Sequence, residues 1–244
     1  MGIRSGLRTT KNKIMRALLN QIVWQLNEEM PEDLPRLLAP RIGLALGIPM
    51  PLGSPLSKAD HHRTSEEFLV QHLGLWDSLP GASSLDLGCG TRPRNPFHAD
   101  HVHGIDIRSD TDHSVVSADL SVAPIPFPEE HFDFVTAFDF IEHVPRVIHI
   151  GASNRFPFVA LMDEIHRVLR PGGIFFSKTP AFPSQEVFQD PTHINPITEN
   201  TFPLYFCRQG SNRPWAHIYG FRGSFELLAQ GHGYHDLMTL MRRV

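Results

Sequence analysis

Two aspartates and two glycines define the chemistry open to this chain. Asp86 precedes the turn Gly88-Cys89-Gly90 at the end of one short apolar run, and Asp106 closes the next run. Glycine has no Cβ, so the chain can turn sharply there and bring its backbone close to a ligand. Asp106 follows Gly88 by 18 positions, near the roughly 20 at which a ribose-binding acid follows the glycine loop of a doubly wound nucleotide fold. An adenosine-type ligand is indicated, and three compete. A dinucleotide fingerprint wants a third glycine three places after the second, where this chain has Pro93. A phosphate loop needs Gly-Lys-Ser/Thr, whereas Thr91 and Arg92 follow Gly90. Asp86 would repel a pyrophosphate but suits a ligand carrying an amino group and a sulfonium. The charges favour S-adenosylmethionine.

The run Asp86-Leu87-Gly88-Cys89-Gly90-Thr91 resembles the first motif of class I S-adenosylmethionine-dependent methyltransferases. Phe132 to Phe138, followed by Ile141-Glu142-His143-Val144, is similar to their fourth strand and the loop after it. Leu169-Arg170-Pro171-Gly172-Gly173 before Ile174-Phe175-Phe176 matches the turn into their fifth strand. The similarity covers about Leu85 to Lys178 and is strongest in the order and spacing of the three pieces. It implies a Rossmann-like α/β fold of the small-molecule or saccharide type: a doubly wound, seven-stranded, mostly parallel sheet with an antiparallel strand from the C-terminal hairpin.

The resemblance also assigns cofactor roles. Asp86 would hold the methionine end, and Gly88 and Gly90 would allow close backbone approach. Asp106 would take both ribose hydroxyls, a task for an anionic two-oxygen acceptor. Asp119 would accept from the adenine amino group, and Phe138 would offer backbone near the sulfonium. Cys89, Ile107 and Leu120 flank these residues and complete the expected cofactor-contact set.

Methyl transfer from a sulfonium is mainly a matter of holding the acceptor in line behind the methyl carbon. A hydroxyl acceptor must also lose a proton, for which histidine is suited. Of 15 histidines, His143 after the fourth strand and His193 in Asp190-Pro191-Thr192-His193 past the fifth are the catalytic candidates. Each is equally at home as a packing or turn residue, and an amine acceptor would leave both structural. Asp190, His193 and Glu142 lack diagnostic metal-ligand spacing, so no metal is expected. Arg92 and Arg94 read as solvated or ion-paired, and Cys89 has no basic neighbour in sequence to make it a nucleophile.

These residues need a scaffold. A chain of 244 residues can bury a sizeable core. Its net charge of −4 argues against a nucleic-acid partner. Two cysteines give no disulfide framework and suggest a reducing cytoplasm, and no apolar run approaches the roughly 18 residues of a membrane span. Residues 1–60 read as a basic amphipathic helix, with Ile14, Leu18, Ile22 and Leu26 every fourth position, and a Pro-rich linker. That helix could cover the site, contact a membrane surface or join a second copy in a homo-oligomer. Residues 61–244 read as the methyltransferase domain. Thr64-Ser65-Glu66-Glu67 is a capping box opening a helix through Leu73. Strands are expected at Ser83–Leu87, Val102–Asp106, Val115–Ala118, Phe132–Phe138 and Ile174–Lys178, with a helix at Phe158–Leu169 stopped by Pro171-Gly172-Gly173. Residues 180–218 are too long for an ordinary connection and read as a lid against a small-molecule acceptor. The hairpin Phe225–Ala229 and Leu237–Met241, turning at Gly231-His232-Gly233, closes the chain. A cofactor-binding subunit without catalysis and a nucleotide oxidoreductase remain the competing classes.

Overall fold

The computed structural model describes residues 64–73, 80–108 and 114–244; the expected N-terminal helix and linker lie outside them. Helix α1 spans Ser65–Leu73. Its N-terminus is a reciprocal capping box: the Glu67 N–H donates to Thr64 Oγ1 at 3.1 Å, and the Thr64 N–H donates to Glu67 Oε2 at 3.3 Å. The strands that follow are β1 Ser83–Leu87, β2 His101–Asp106, β3 Val115–Ser117 and β4 Phe132–Phe138. A 3₁₀ turn at Ile141–His143 leads to a small hairpin, β5 Ile148–Ile150 and β6 Ser153–Arg155. Helix α2, Pro157–Val168, starts on a proline, whose missing N–H costs nothing in the first turn. Strand β7, Leu169–Pro180, bulges out through Arg170–Gly173 before pairing Ile174 with Phe134. Short helices α3 Glu186–Gln189 and α4 Thr201–Tyr205 precede β8 Phe225–His232 and β9 Asp236–Arg243.

Seven strands form one sheet in the order β3-β2-β1-β4-β7-β9-β8. The first five are mutually parallel; β9 runs antiparallel to both β7 and β8. The strand order reverses between β1 and β4, so the carboxyl ends of β1, β2 and β4 open a crevice of the kind that takes ligands in such sheets. The connection from β1 to β2 is an irregular loop rather than a helix. Pro93 and Pro96 account for it, since proline lacks the N–H a helix interior needs. The hairpin turn falls after His232, because Gly231 and His232 still pair with Met238 and Leu237 across a bulge between Leu227 and Ala229.

Both sheet faces are covered. Phe134, Phe138 and Phe176 pack with Phe68 and Leu69 of α1 on one face. Leu85, Val135, Ala137 and Phe175 pack with Leu161, Met162, Ile165 and Val168 of α2 on the other. From Phe134 onward this period-two alternation fixes which face each β4 residue meets; Phe132, before the register shift, packs on the α2 side. The segment after β7 contributes to the second cluster: Phe202 and Phe206 are buried, whereas Phe182, Phe188, Trp215 and Tyr219 stay exposed. Among the described residues no helix is long and apolar enough to cross a membrane.

Candidate functional site

The glycine turn is held to the sheet by its two acids. Gly88 and Gly90 both have positive φ, +65° and +68°, which costs a glycine nothing and strains other residues. The Gly88 N–H donates to the Ile105 carbonyl at 2.8 Å, and the Gly90 N–H donates to Asp106 Oδ2 at 2.8 Å. The other oxygen of Asp106 accepts from the Arg108 N–H at 3.1 Å and faces the Arg108 guanidinium at 3.4 Å. Asp106 is thus a buried carboxylate at the crevice rim that already anchors the loop, with acceptor capacity left over.

Asp86 sits in register with Gly104 on one side and Thr136 on the other. Its Oδ1 accepts the Thr136 hydroxyl at 2.7 Å and its Oδ2 the Arg94 N–H at 2.8 Å. Burial, only partly offset by those bonds, pushes its carboxyl up to about 6. Gly104 is part of the same construction. A Cβ there would lie 2.5 Å from Cys89 Sγ, so the loop can rest on β2 only over a glycine. Burial, with Asp86 and Asp106 nearby, pushes the Cys89 thiol up to about 11, which keeps it protonated and unreactive at neutral pH.

The remaining cofactor candidates lie along the same sheet edge. Ile107 is 70% exposed beside Asp106. Asp119 is exposed, its Oδ1 accepting the Ser121 N–H at 2.9 Å in an Asx turn. The Leu120 side chain is part of the core against α2, which leaves only its backbone for a ligand. Phe138 is nearly buried; its carbonyl accepts from Arg94 Nη1 at 3.4 Å, and the Arg94 guanidinium lies 4.7 Å above its ring. Arg94 is exposed and leans over Phe138. The Phe140 ring lies against Gly88, where a Cβ would collide with it.

The two histidines meet. Their ring centroids are 4.8 Å apart at 74°, although 50 residues separate them in sequence. Glu142, 1% exposed, lies beside them. One carboxylate oxygen of Glu142 and one nitrogen of each ring are within 4.8 Å of one another. Glu142 Oε2 accepts the Thr179 hydroxyl at 2.7 Å, and burial pushes its carboxyl up to about 7. The segment after β7 brings His193 here because the Ile194 and Asn195 N–H groups donate to the Glu142 carbonyl at 3.0 and 2.9 Å. Asn195 Nδ2 adds a bond to the Ile141 carbonyl at 2.9 Å, and Arg146 Nε donates to Asn195 Oδ1 at 2.6 Å. Asp190 stays outside the cluster; its nearest oxygen is 3.9 Å from His193 Nε2.

Gly104, Thr136, Phe140 and Asn195 were passed over in the sequence. A glycine inside the expected second strand was the readable signal for Gly104. The spacing of Glu142, His143 and His193 carries no sign that they gather, because the sheet and the segment after β7 assemble them from separate parts of the chain.

A family described as a methyltransferase domain matches residues 59–226. A fatty-acid O-methyltransferase from Mycolicibacterium smegmatis is 26% identical over 152 residues, covering 56% of this chain and 51% of that protein. The chain thus spans about half the length of the curated relative it matches. Among solved structures, a SAM-dependent methyltransferase from Aquifex aeolicus is similar at 13% identity and a TM-score of 0.48, over 75% of this chain and 91% of that one. The PH0226 protein from Pyrococcus horikoshii is similar at 17% identity and a TM-score of 0.48, over 73% and 87% of the two chains.

Proposed function

The chain belongs to the methyltransferase-domain family, with S-adenosylmethionine as cofactor, and from that premise we propose that it methylates an oxygen of a small molecule. When bound, the cofactor supplies an activated methyl group on a cationic sulfur. The residues present fit such a ligand: two buried carboxylates, Asp86 and Asp106, flank a glycine turn. Asp86 is held at about 6 by burial, and a neighbouring positive charge would restore its ordinary acidity. On this reading Asp106 takes the ribose hydroxyls with its spare lone pairs, and Ile107 covers the adenine. Asp119 and the Leu120 backbone border the adenine edge. Arg94, over Phe138, meets the cofactor's carboxylate.

The observation that carries the oxygen acceptor is the His143–His193 pair at the edge where β4 and β7 end. An amine acceptor needs no proton removed by the protein. A hydroxyl does, and this pair is where its proton is lost. That the Mycolicibacterium relative methylates an oxygen supports the same choice. The hydroxyl of a sugar or secondary metabolite is the acceptor class we assign. A screen of hydroxylated acceptors with a radiolabelled methyl donor tests it. We expect label in an ether product, with His143→Ala and His193→Ala slowing transfer while S-adenosylhomocysteine still binds. Normal turnover by both variants on the acceptor found would overturn the oxygen reading.

A further inference from the structure

We propose that Glu142, His143 and His193 bind a divalent transition-metal ion of the zinc type, and that this ion holds the acceptor's oxygen. The inference deepens the proposed reaction and rests on it for the ion's purpose, though not for the ion's binding.

Four features make the cluster a ligand set rather than a chance gathering. First, the three candidate donor atoms converge within 4.8 Å. Zinc-to-ligand distances of about 2.0–2.2 Å put neighbouring ligands roughly 3.3 Å apart, so binding the ion draws the three side chains closer together. Second, Glu142 Oε1 is buried and, among the described residues, has no hydrogen-bond partner. An orphaned buried acceptor is destabilising, and a cation removes that cost. Third, both rings are held in one tautomer. His193 Nδ1 lies 2.9 Å from the Glu186 carbonyl, which can only accept, so Nδ1 carries the proton and Nε2 the lone pair. The Thr192 hydroxyl spends its single proton on Asp190 Oδ1 at 2.7 Å. It therefore accepts from His143 Nδ1 at 2.9 Å, which again frees Nε2. Fourth, each ligand has an outer partner: Thr179 for Glu142, the Glu186 carbonyl for His193, and Thr192 with Asp190 for His143. Carbonyl, hydroxyl and carboxylate supports of this kind orient metal-binding histidines and raise their basicity.

Two imidazoles and one carboxylate suit zinc and its first-row neighbours; magnesium and calcium prefer all-oxygen sets. Three protein ligands leave a position open. An acceptor hydroxyl entering it is acidified, as water is on catalytic zinc. With both Nε2 lone pairs on the ion, the histidines promote loss of the proton by holding the ion rather than by taking the proton themselves: the O–H bond breaks and the proton passes to solvent. The oxygen lone pair forms the new C–O bond while the methyl carbon's bond to sulfur breaks, its electron pair staying on sulfur. The products are the methyl ether and S-adenosylhomocysteine.

The test uses the full chain, purified without a histidine tag and stripped with chelator, then titrated with Zn²⁺ by calorimetry and Co²⁺ by visible absorption. We expect one saturable equivalent and ligand-field bands of a low-coordinate Co²⁺ site. Both should vanish in the His143→Ala/His193→Ala double variant and persist in His101→Ala, a histidine outside the cluster. Thr192→Ala keeps all three ligands and should bind about 10–100-fold more weakly, so the proposal stays testable if the double variant misfolds. No saturable equivalent, or one indifferent to both the double variant and Thr192→Ala, overturns the site. S-adenosylhomocysteine binding is measured alongside in the same samples. Its presence without metal binding sinks the ion and spares the methyl-transfer reading; metal binding without it does the reverse.

Discussion

At the scale of single residues, the account turns on carboxylates that fold at a cost. Asp86 is held at about 6, chiefly by burial, against about 3.9 in an unfolded chain. The folded state therefore binds the proton more readily, and stability falls as pH rises from about 4 to 6, then levels off. Asp86→Asn keeps the shape and removes that loss. Urea unfolding at pH 7.5 should find it more stable than the parent by on the order of 3 kcal/mol, with the difference vanishing near pH 4. The same variant should bind S-adenosylhomocysteine more weakly, and parental affinity for the cofactor should decline as pH drops below 6. Position alone made Asp86, Gly88, Gly90 and Asp106 legible in the sequence, because their chemistry is local to one turn and the next strand end. Thr136 and Arg94 were not legible as partners of Asp86. A register 50 residues away places Thr136, and the path of a loop interrupted by prolines places Arg94.

At the scale of elements, strands β1 and β4 were readable to the residue, since each is a short, partly apolar segment bounded by turn signals, Pro80-Gly81 and Gly88 around β1 and Pro128 before β4. So was α1, whose Thr64–Glu67 capping box forms as the spacing implies. Thr64→Ala should cost about 1 kcal/mol, seen in thermal unfolding as a drop of about 2–4 °C for a domain of this size. The C-terminal hairpin was readable in kind but not in register, because Gly231 looked like a turn and is a paired strand residue beside a bulge. The meeting of His143 with His193 was not readable at all. It depends on lid N–H groups satisfying one carbonyl, that of Glu142, and on the fully buried Asn195. Asn195→Ala leaves the Ile141 carbonyl and Arg146 without that partner. We expect a loss of about 1–3 kcal/mol and proteolytic nicking within residues 181–200 faster than in the parent, checked by limited proteolysis at matched temperature.

At the scale of the whole molecule, one edge of a seven-stranded sheet carries two chemistries side by side. The β1–β4 switch point presents carboxylates and a glycine turn. The ends of β4 and β7, with the lid folded over them, present two histidines and a buried glutamate. On the proposed reading the first grips a cationic adenosyl ligand, and the second handles the acceptor oxygen. The family match spans the residues of both and leaves the acceptor open, because a fold supports many acceptors through the residues grafted on its edge. The most direct measurement is a calorimetric titration of the full chain with S-adenosylhomocysteine at pH 7.5, run beside Asp106→Ala. The account predicts one equivalent bound by the parent and affinity reduced at least about 100-fold in the variant, the worth of two charge-assisted hydrogen bonds. Absence of binding by the parent, or equal binding by both proteins, would contradict it.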